Sequence, residues 1–137
     1  ADHAEFFEDT YQREWKSLSD LCYHFTNYLL EHFDIKTKLW HSSDIGVSSI
    51  KSDMVLDLCK ALRATKYISG AQGRDYLESE KFSAAGIEIE FQDYQHPGYK
   101  QVGVPQFIPL MSSIDLLFNH GPNSSAILLN QDSTHVK

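Results

Sequence analysis

Apolar positions recur at three- and four-residue intervals through Leu18, Leu21, Cys22, Phe25, Tyr28, Leu29 and Phe33, which predicts a helix with one buried face. Phe7, Tyr11 and Trp15 carry the stripe toward the N-terminus, so residues 4–33 read as two helical segments or one long bent helix. The period then changes. "IKTKLWHSSD" alternates through Ile35, Thr37, Leu39 and His41 and predicts a short strand over residues 35–41. Helical spacing returns at Met54, Val55, Leu58, Cys59 and Leu62, with Ser52 placed as N-cap and Asp53 favoured near the positive helix end. "KYIS" predicts a second strand, residues 66–69. A helix follows within residues 74–84, and Gly86 stops it in the manner of a C-cap. "IEIEFQDY" is the clearest strand, with Ile87, Ile89 and Phe91 on one face and acidic residues on the other. Gly and Pro spaced through "HPGYKQVGVPQFIP" make it a loop. "SSIDLLFNHG" is the last helix, capped by Ser112 or Ser113 and ended by Gly121 and Pro122.

Strands alternating with helices at this spacing imply crossover connections and an α/β fold. The expectation is a small two- or three-layer domain with a short, mainly parallel three-stranded sheet and flanking helices. Residues 1–121 form a single domain in this reading and residues 122–137 a tail. Ligands of parallel sheets sit outside the carboxyl ends of the strands. That rule brings three loops to one crevice: Ser42, Ser43 and Asp44; Ser69, Gly70, Ala71, Gln72, Gly73 and Arg74; and Asp93, Tyr94, Gln95 and His96.

Composition narrows the partners. The 137 residues, 42% of them apolar, are enough for one packed core. A net charge of −7 argues against nucleic acid, whose binding needs clustered Lys and Arg. No apolar run reaches the roughly 18 residues of a transmembrane helix, and the N-terminus lacks the order of a signal peptide. Cys22 and Cys59 have no CxxC spacing and fall in helical patterns, which suggests reduced core thiols in a cytoplasmic protein. The chain opens on Ala1 without an initiator methionine and is at once helical in character. It reads as part of a longer protein, with an aromatic N-terminal face that a second copy or an absent segment would cover.

Three stretches carry candidate chemistry. "SGAQGR" sets Gly70 and Gly73 three apart between a strand and a helix, where free amides and Arg74 can hold a phosphate or carboxylate. The same pattern also makes an ordinary tight turn. "DYQHPGYKQ" gathers Tyr94, His96, Tyr99 and Gln101. His96 precedes Pro97, so its backbone is restricted and its ring direction set by the chain, either for acid/base work or simply within a rigid loop. In the last helix Asp115 and Asn119 lie four apart, placed to line a site or to pair with a neighbouring loop. The seven histidines show no HxxxH or HxH pairing, so no metal ligation is read, and the residues point to no cofactor. A cysteine nucleophile would have to leave an apolar helix face.

The blocks "YISGAQGRDYL", "GIEIEFQDYQHPGYKQ" and "FIPLMSSIDLLFNHG", with "WHSSDIG" and "DMVLDLCKALRATKYISG" upstream, resemble the WbqC-like family of bacterial proteins from about Tyr11 to Gly121. The resemblance implies a bacterial cytoplasmic protein connected with O-antigen or other surface polysaccharides. It implies a transferase that attaches an amino-acid or acyl group to an activated sugar. In that reading His96 is acid/base or orienting group, Ser69, Gly70, Gly73 and Arg74 hold an anion, and Ser43, Tyr94, Tyr99 and Gln101 meet the substrate. Members of the family begin with a segment of His-Gln-Pro-Asn-Tyr type, to which nothing here corresponds, so the chain resembles a C-terminal part. The other open reading is a non-catalytic module that binds a sugar or a partner enzyme.

Overall fold

The computed structural model describes residues 3–129. The chain folds as two compact units, one built from the chain up to Thr37 together with the chain from His96, the other from Lys38–Gln95.

In the first unit, α1 (Ala4–Gln12) and α2 (Leu18–His32) are separate helices. Ser17 starts the second one: its hydroxyl accepts the Asp20 amide, satisfying one of the free donors at a helix start. Rings hold the two helices together. Phe6 stacks on Tyr28 with centroids 3.4 Å apart, Phe7 on Phe25 at 5.5 Å, and the buried Thr10 hydroxyl meets His24 Nε2 at 3.2 Å. The predicted stripe is narrower than expected. Leu18 and Cys22 face solvent, as does Tyr11, which is 71% exposed, while Phe33 is fully buried. Phe33 joins Tyr99, Leu116 and Leu117 in the core of this unit.

α6 (Ser113–His120) begins at Ser112, whose hydroxyl accepts the Ile114 amide, and ends at Gly121 with φ 51°. The segment expected as a tail starts with a 3-10 turn, Gly121–Asn123, and a further helix, α7 (Ser124–Leu128). The buried Ser124 hydroxyl donates to the Leu116 carbonyl at 3.2 Å and ties α7 back to α6. The rest of that expected tail lies outside the described residues.

The second unit contains α3 (Ser42–Ile45), α4 (Lys51–Ala61), β1 (Lys66–Ser69), a 3-10 helix (Ala71–Asp75), α5 (Ser79–Ala84) and β2 (Glu88–Phe91). The two strands pair in parallel, with Lys66 opposite Glu88 and Ser69 opposite Phe91. The sheet therefore has two strands rather than three: the expected strand over residues 35–41 is irregular. Alternation becomes a strand only where a neighbour completes the ladder. Here the boundary between the two units falls between Thr37 and Lys38, inside the expected strand. Its charged side chains find other partners, Lys36 pairing with Asp34 at 3.2 Å and Lys38 lying 3.6 Å from the Trp40 ring centroid.

Burial on β2 follows its pattern. Ile87 is buried, Ile89 and Phe91 are half-buried, and Glu88 and Glu90 face out to a shared partner, Lys66. The inward residues meet Leu56, Cys59, Leu77 and Phe82 in one cluster, each fully buried side chain contributing about 1.5–3 kcal/mol. The predicted helix over residues 74–84 splits into the 3-10 turn and α5. Gly86 (φ 73°) ends α5 with two bonds, Gly86 N–H to the Ser83 carbonyl and Ile87 N–H to the Phe82 carbonyl, and Ile87 packs back on Phe82. Ser52 is not the cap of α4; Ile50 holds that position. Ser52 lies inside the helix, and its hydroxyl accepts the Glu78 amide at 2.9 Å, fastening the start of α5.

Candidate functional site

The candidate residues fall in both units, and each group is described by itself. In the second unit, Ser69 and Gly70 stand at the carboxyl end of β1, and the ladder runs one step further through Gln92 N–H to the Ser69 carbonyl. Ser69 is buried, and its hydroxyl donates to the Gly70 carbonyl at 3.1 Å. Gly73 packs against it. A Cβ there would overlap Ser69 Oγ and come to 3.0 Å from Leu77, so any other residue would force the Ser69 side chain to shift. Gln72 and Arg74 are exposed. Arg74 closes the 3-10 turn rather than opening a helix, at the end where a cation is favoured. The guanidinium lies over Phe91, 4.7 Å from the ring centroid, and forms no ion pair among the described residues. Ser43 sits exposed in α3, its hydroxyl 3.3 Å from Asp44, and Tyr94 is exposed beyond β2.

Reading the sequence overlooked two contributors here. Tyr67 shares the inner face of β1 with Ser69, and burial raises its phenol pKa, with Tyr76 and Ser69 hydroxyls beside it. Phe91, expected only as core, is also the platform for Arg74. An aromatic residue at a strand end was the available signal for the second.

In the first unit, His96, Tyr99, Gln101, Asp115 and Asn119 come together. The Tyr99 hydroxyl and the Gln101 side-chain amide both donate to Asp115 Oδ2, each at 2.8 Å. Gln101 also brackets one peptide of the loop: its Nε2 donates to the Ile108 carbonyl at 3.1 Å and its Oε1 accepts the Ile108 amide at 2.8 Å. Asn119 Oδ1 accepts the Val102 amide at 2.6 Å, while its own amide reaches the Asp115 carbonyl and carboxylate. Tyr99 is 5% exposed and Gln101 7%, so these bonds are shielded from water. Their capacity is spent on one another and on the loop. Asp115 and Asn119 thus do what the second reading of their spacing expected, pairing with the neighbouring loop.

His96 stands beside this network. Its Nδ1 lies 2.9 Å from the Pro97 carbonyl, which can only accept, so Nδ1 is the donor in this contact. The ring stacks on Tyr99 with centroids 6.0 Å apart and lies tilted at 5.7 Å from Phe107, a residue the sequence did not single out. Among the described residues no group of three or more His, Cys, Asp or Glu could hold a metal ion. Both cysteines are free. Cys59 is buried, which raises its thiol pKa, and Cys22 is exposed, contrary to the expected core position.

These features define a mixed helix-and-strand protein with a small parallel sheet and a shielded polar network under one loop. The profile of the WbqC-like protein family matches residues 1–127, and the chain belongs to that family. It is similar to "Uncharacterized protein Rv1507c" of Mycobacterium tuberculosis (strain ATCC 25618 / H37Rv), with 32% identity over 111 residues, covering 80% of this chain and 48% of that protein. The chain thus spans about half the length of this relative. No solved structure matches it. No described helix is long and apolar enough to cross a membrane.

Proposed function

We propose that the chain is the C-terminal part of a cytoplasmic transferase that attaches an amino-acid or acyl group to an activated sugar in the assembly of bacterial surface polysaccharide, O-antigen among them. The observation that carries this reading is Arg74: a cation without an ion pair among the described residues, laid over Phe91 at the carboxyl end of the parallel strands. Ligands of parallel sheets collect at that end, and a guanidinium there suits the diphosphate of a nucleotide-linked sugar. Ser69, Gly70, Gln72 and Gly73 form the backbone beside it, with Ser43 and Tyr94 as substrate contacts. Within the first unit by itself, His96 is the acid/base or orienting candidate, its Nδ1 2.9 Å from the Pro97 carbonyl. Tyr99, Gln101, Asp115 and Asn119 hold its loop. In this reading the exposed aromatic surface of α1 and α2, Tyr11 foremost, meets a second copy of the chain.

Titration of the 137-residue protein with UDP-glucose, followed by amide chemical shifts, tests the anion-holding half. Saturable shifts at Gly70, Gln72 and Arg74 that vanish in Arg74→Gln are expected; shifts unchanged in that variant would end this assignment. A second reading, a non-catalytic sugar- or partner-binding module, is favoured by one observation. The polar groups around Tyr99 bond one another and leave His96 as the acid/base candidate there. Binding of UDP-glucose without turnover by a longer family member carrying His96 would select it.

A further inference from the structure

The second unit has a groove that none of the candidate site residues line. It lies between α4 and α5, open to solvent, with a volume of about 610 Å³, within the roughly 300–1,000 Å³ of small-molecule sites. Its width has a simple cause. At one end of the groove α5 contributes Ala84 and, just past its end, Ala85, whose short side chains leave space opposite α4, while its Lys81 crosses to Asp53 at the other. The floor is apolar, made by these alanines and the buried Leu56. The rim is polar and already in order. Asp53 Oδ1 receives Lys81 Nζ at 2.8 Å, and Lys81 gives a second bond to Glu78 at 3.1 Å. Further along α4, Asp57 accepts the Ser49 hydroxyl at 2.8 Å and lies 3.6 Å from Lys60 Nζ.

We infer that this groove binds an uncharged polyhydroxylated ring of monosaccharide size. Capacity decides the ligand class. Lys81 has used two of its three N–H donors, and each rim carboxylate keeps lone pairs beyond those its partners occupy. Hydroxyl groups both donate and accept, so they can use this remainder while each ion pair stays intact. The two carboxylates and two ammoniums of the lining balance as pairs, Asp53 with Lys81 and Asp57 with Lys60, so a phosphate, a carboxylate or a zwitterion would have to break a pair that a neutral ligand leaves intact. The hydrogen bonds to Asp53 and Glu78 raise the Lys81 pKa, so the ammonium donors persist through the physiological range. The apolar floor suits the C–H face of such a ring. An open groove with exposed partners holds it weakly, with a dissociation constant on the order of millimolar.

The inference relies on the sugar-transfer reading for its purpose, as a site for the acceptor, and not for its geometry. Its test is an amide-shift titration of the whole 137-residue protein with methyl α-glucoside, to about 100 mM so as to cover millimolar affinities. Saturable shifts at Asp53, Asp57 and Lys81 are expected. They should disappear in Ala84→Trp, which fills the groove from an exposed position, and weaken severalfold in Asp53→Asn; the same spectra show that each variant is folded. No saturable shift, or shifts that persist in Ala84→Trp, would overturn the inference. Equal or stronger shifts with glycine would overturn the choice of an uncharged ligand. UDP-glucose shifts at Gly70 and Arg74 report the transferase reading separately, so either can fail alone.

Discussion

Replacing Asp115 tests the network that holds the loop from Tyr99 to Ile108. Its Oδ2 receives two donors at 2.8 Å, from Tyr99 and Gln101, and its Oδ1 a weaker one from Asn119 at 3.2 Å. Hydrogen bonds to a charged group are worth about 1.5–3 kcal/mol each, so the two short ones together set an upper scale of roughly 3–6 kcal/mol. Asp115 is itself only half-buried, and water that enters in Asp115→Ala recovers part of this. The expected loss is therefore about 2–4 kcal/mol. Asp115→Asn keeps the shape. Its carbonyl oxygen can take the Oδ2 position, leaving its NH₂ against the Asn119 amide and removing the charge, for a loss of about 1–2 kcal/mol. Gln101→Glu supplies the opposite error: it removes both donors and sets a second carboxylate against Asp115. Urea denaturation gives the ordering, and amide exchange at Ile108 and Val102 locates it. Those two amides should lose protection in Asp115→Ala while Gln92, in the other unit, does not. Equal stability of wild type and Asp115→Ala, or unchanged protection at Ile108, would show that the carboxylate does not hold the loop.

Phe82→Ala removes a side chain with 0% exposure from the centre of its cluster and should cost about 3–5 kcal/mol by urea denaturation; a loss under about 1 kcal/mol would mean that the site collapses around the vacancy. Gly73→Ala should destabilise despite alanine's higher helical propensity, because its methyl group overlaps Ser69 Oγ; a gain of about 1 kcal/mol would show that Ser69 can turn aside freely. Under native conditions iodoacetamide should label Cys22 and spare Cys59 until urea unfolds the chain, as read by intact mass, since Cys59 is buried and its thiol pKa raised. Double labelling of the folded protein would contradict that burial.

The parts legible in the sequence were those governed by local chemistry. Alternation in residues 87–91 placed β2, and Gly86, Ser112 and Gly121 marked helix ends, because caps and pleats depend on near neighbours. The strand expected over residues 35–41 had the same alternation and failed, since a ladder requires a partner from elsewhere in the chain. Ser52 had the right chemistry for a cap, and its hydroxyl serves an amide 26 residues away. Among the site residues, Asp115 and Asn119 were legible as one helix face. The role of Gln101 was not, because its partner is a backbone peptide and no side-chain pattern announces such a bond. Arg74 was placed in the right turn at the wrong end, as a 3-10 turn and the start of an α-helix share the same residue preferences.

The pair of hydrogen bonds between Gln101 and the Ile108 peptide makes residues 103–106 a replaceable cassette. Its two ends are held side by side by a side chain outside the exchanged segment, Val102 is bonded to Asn119 and Phe107 packs on the core, while Val104, Pro105 and Gln106 between them are exposed. A longer insert meets ends already fixed in space, and doubling the length of such a closed loop costs only about 0.6 kcal/mol. Peptides or reporter sequences grafted between Val102 and Phe107 would thus be displayed without disturbing the core beneath, provided that Gln101 itself is kept.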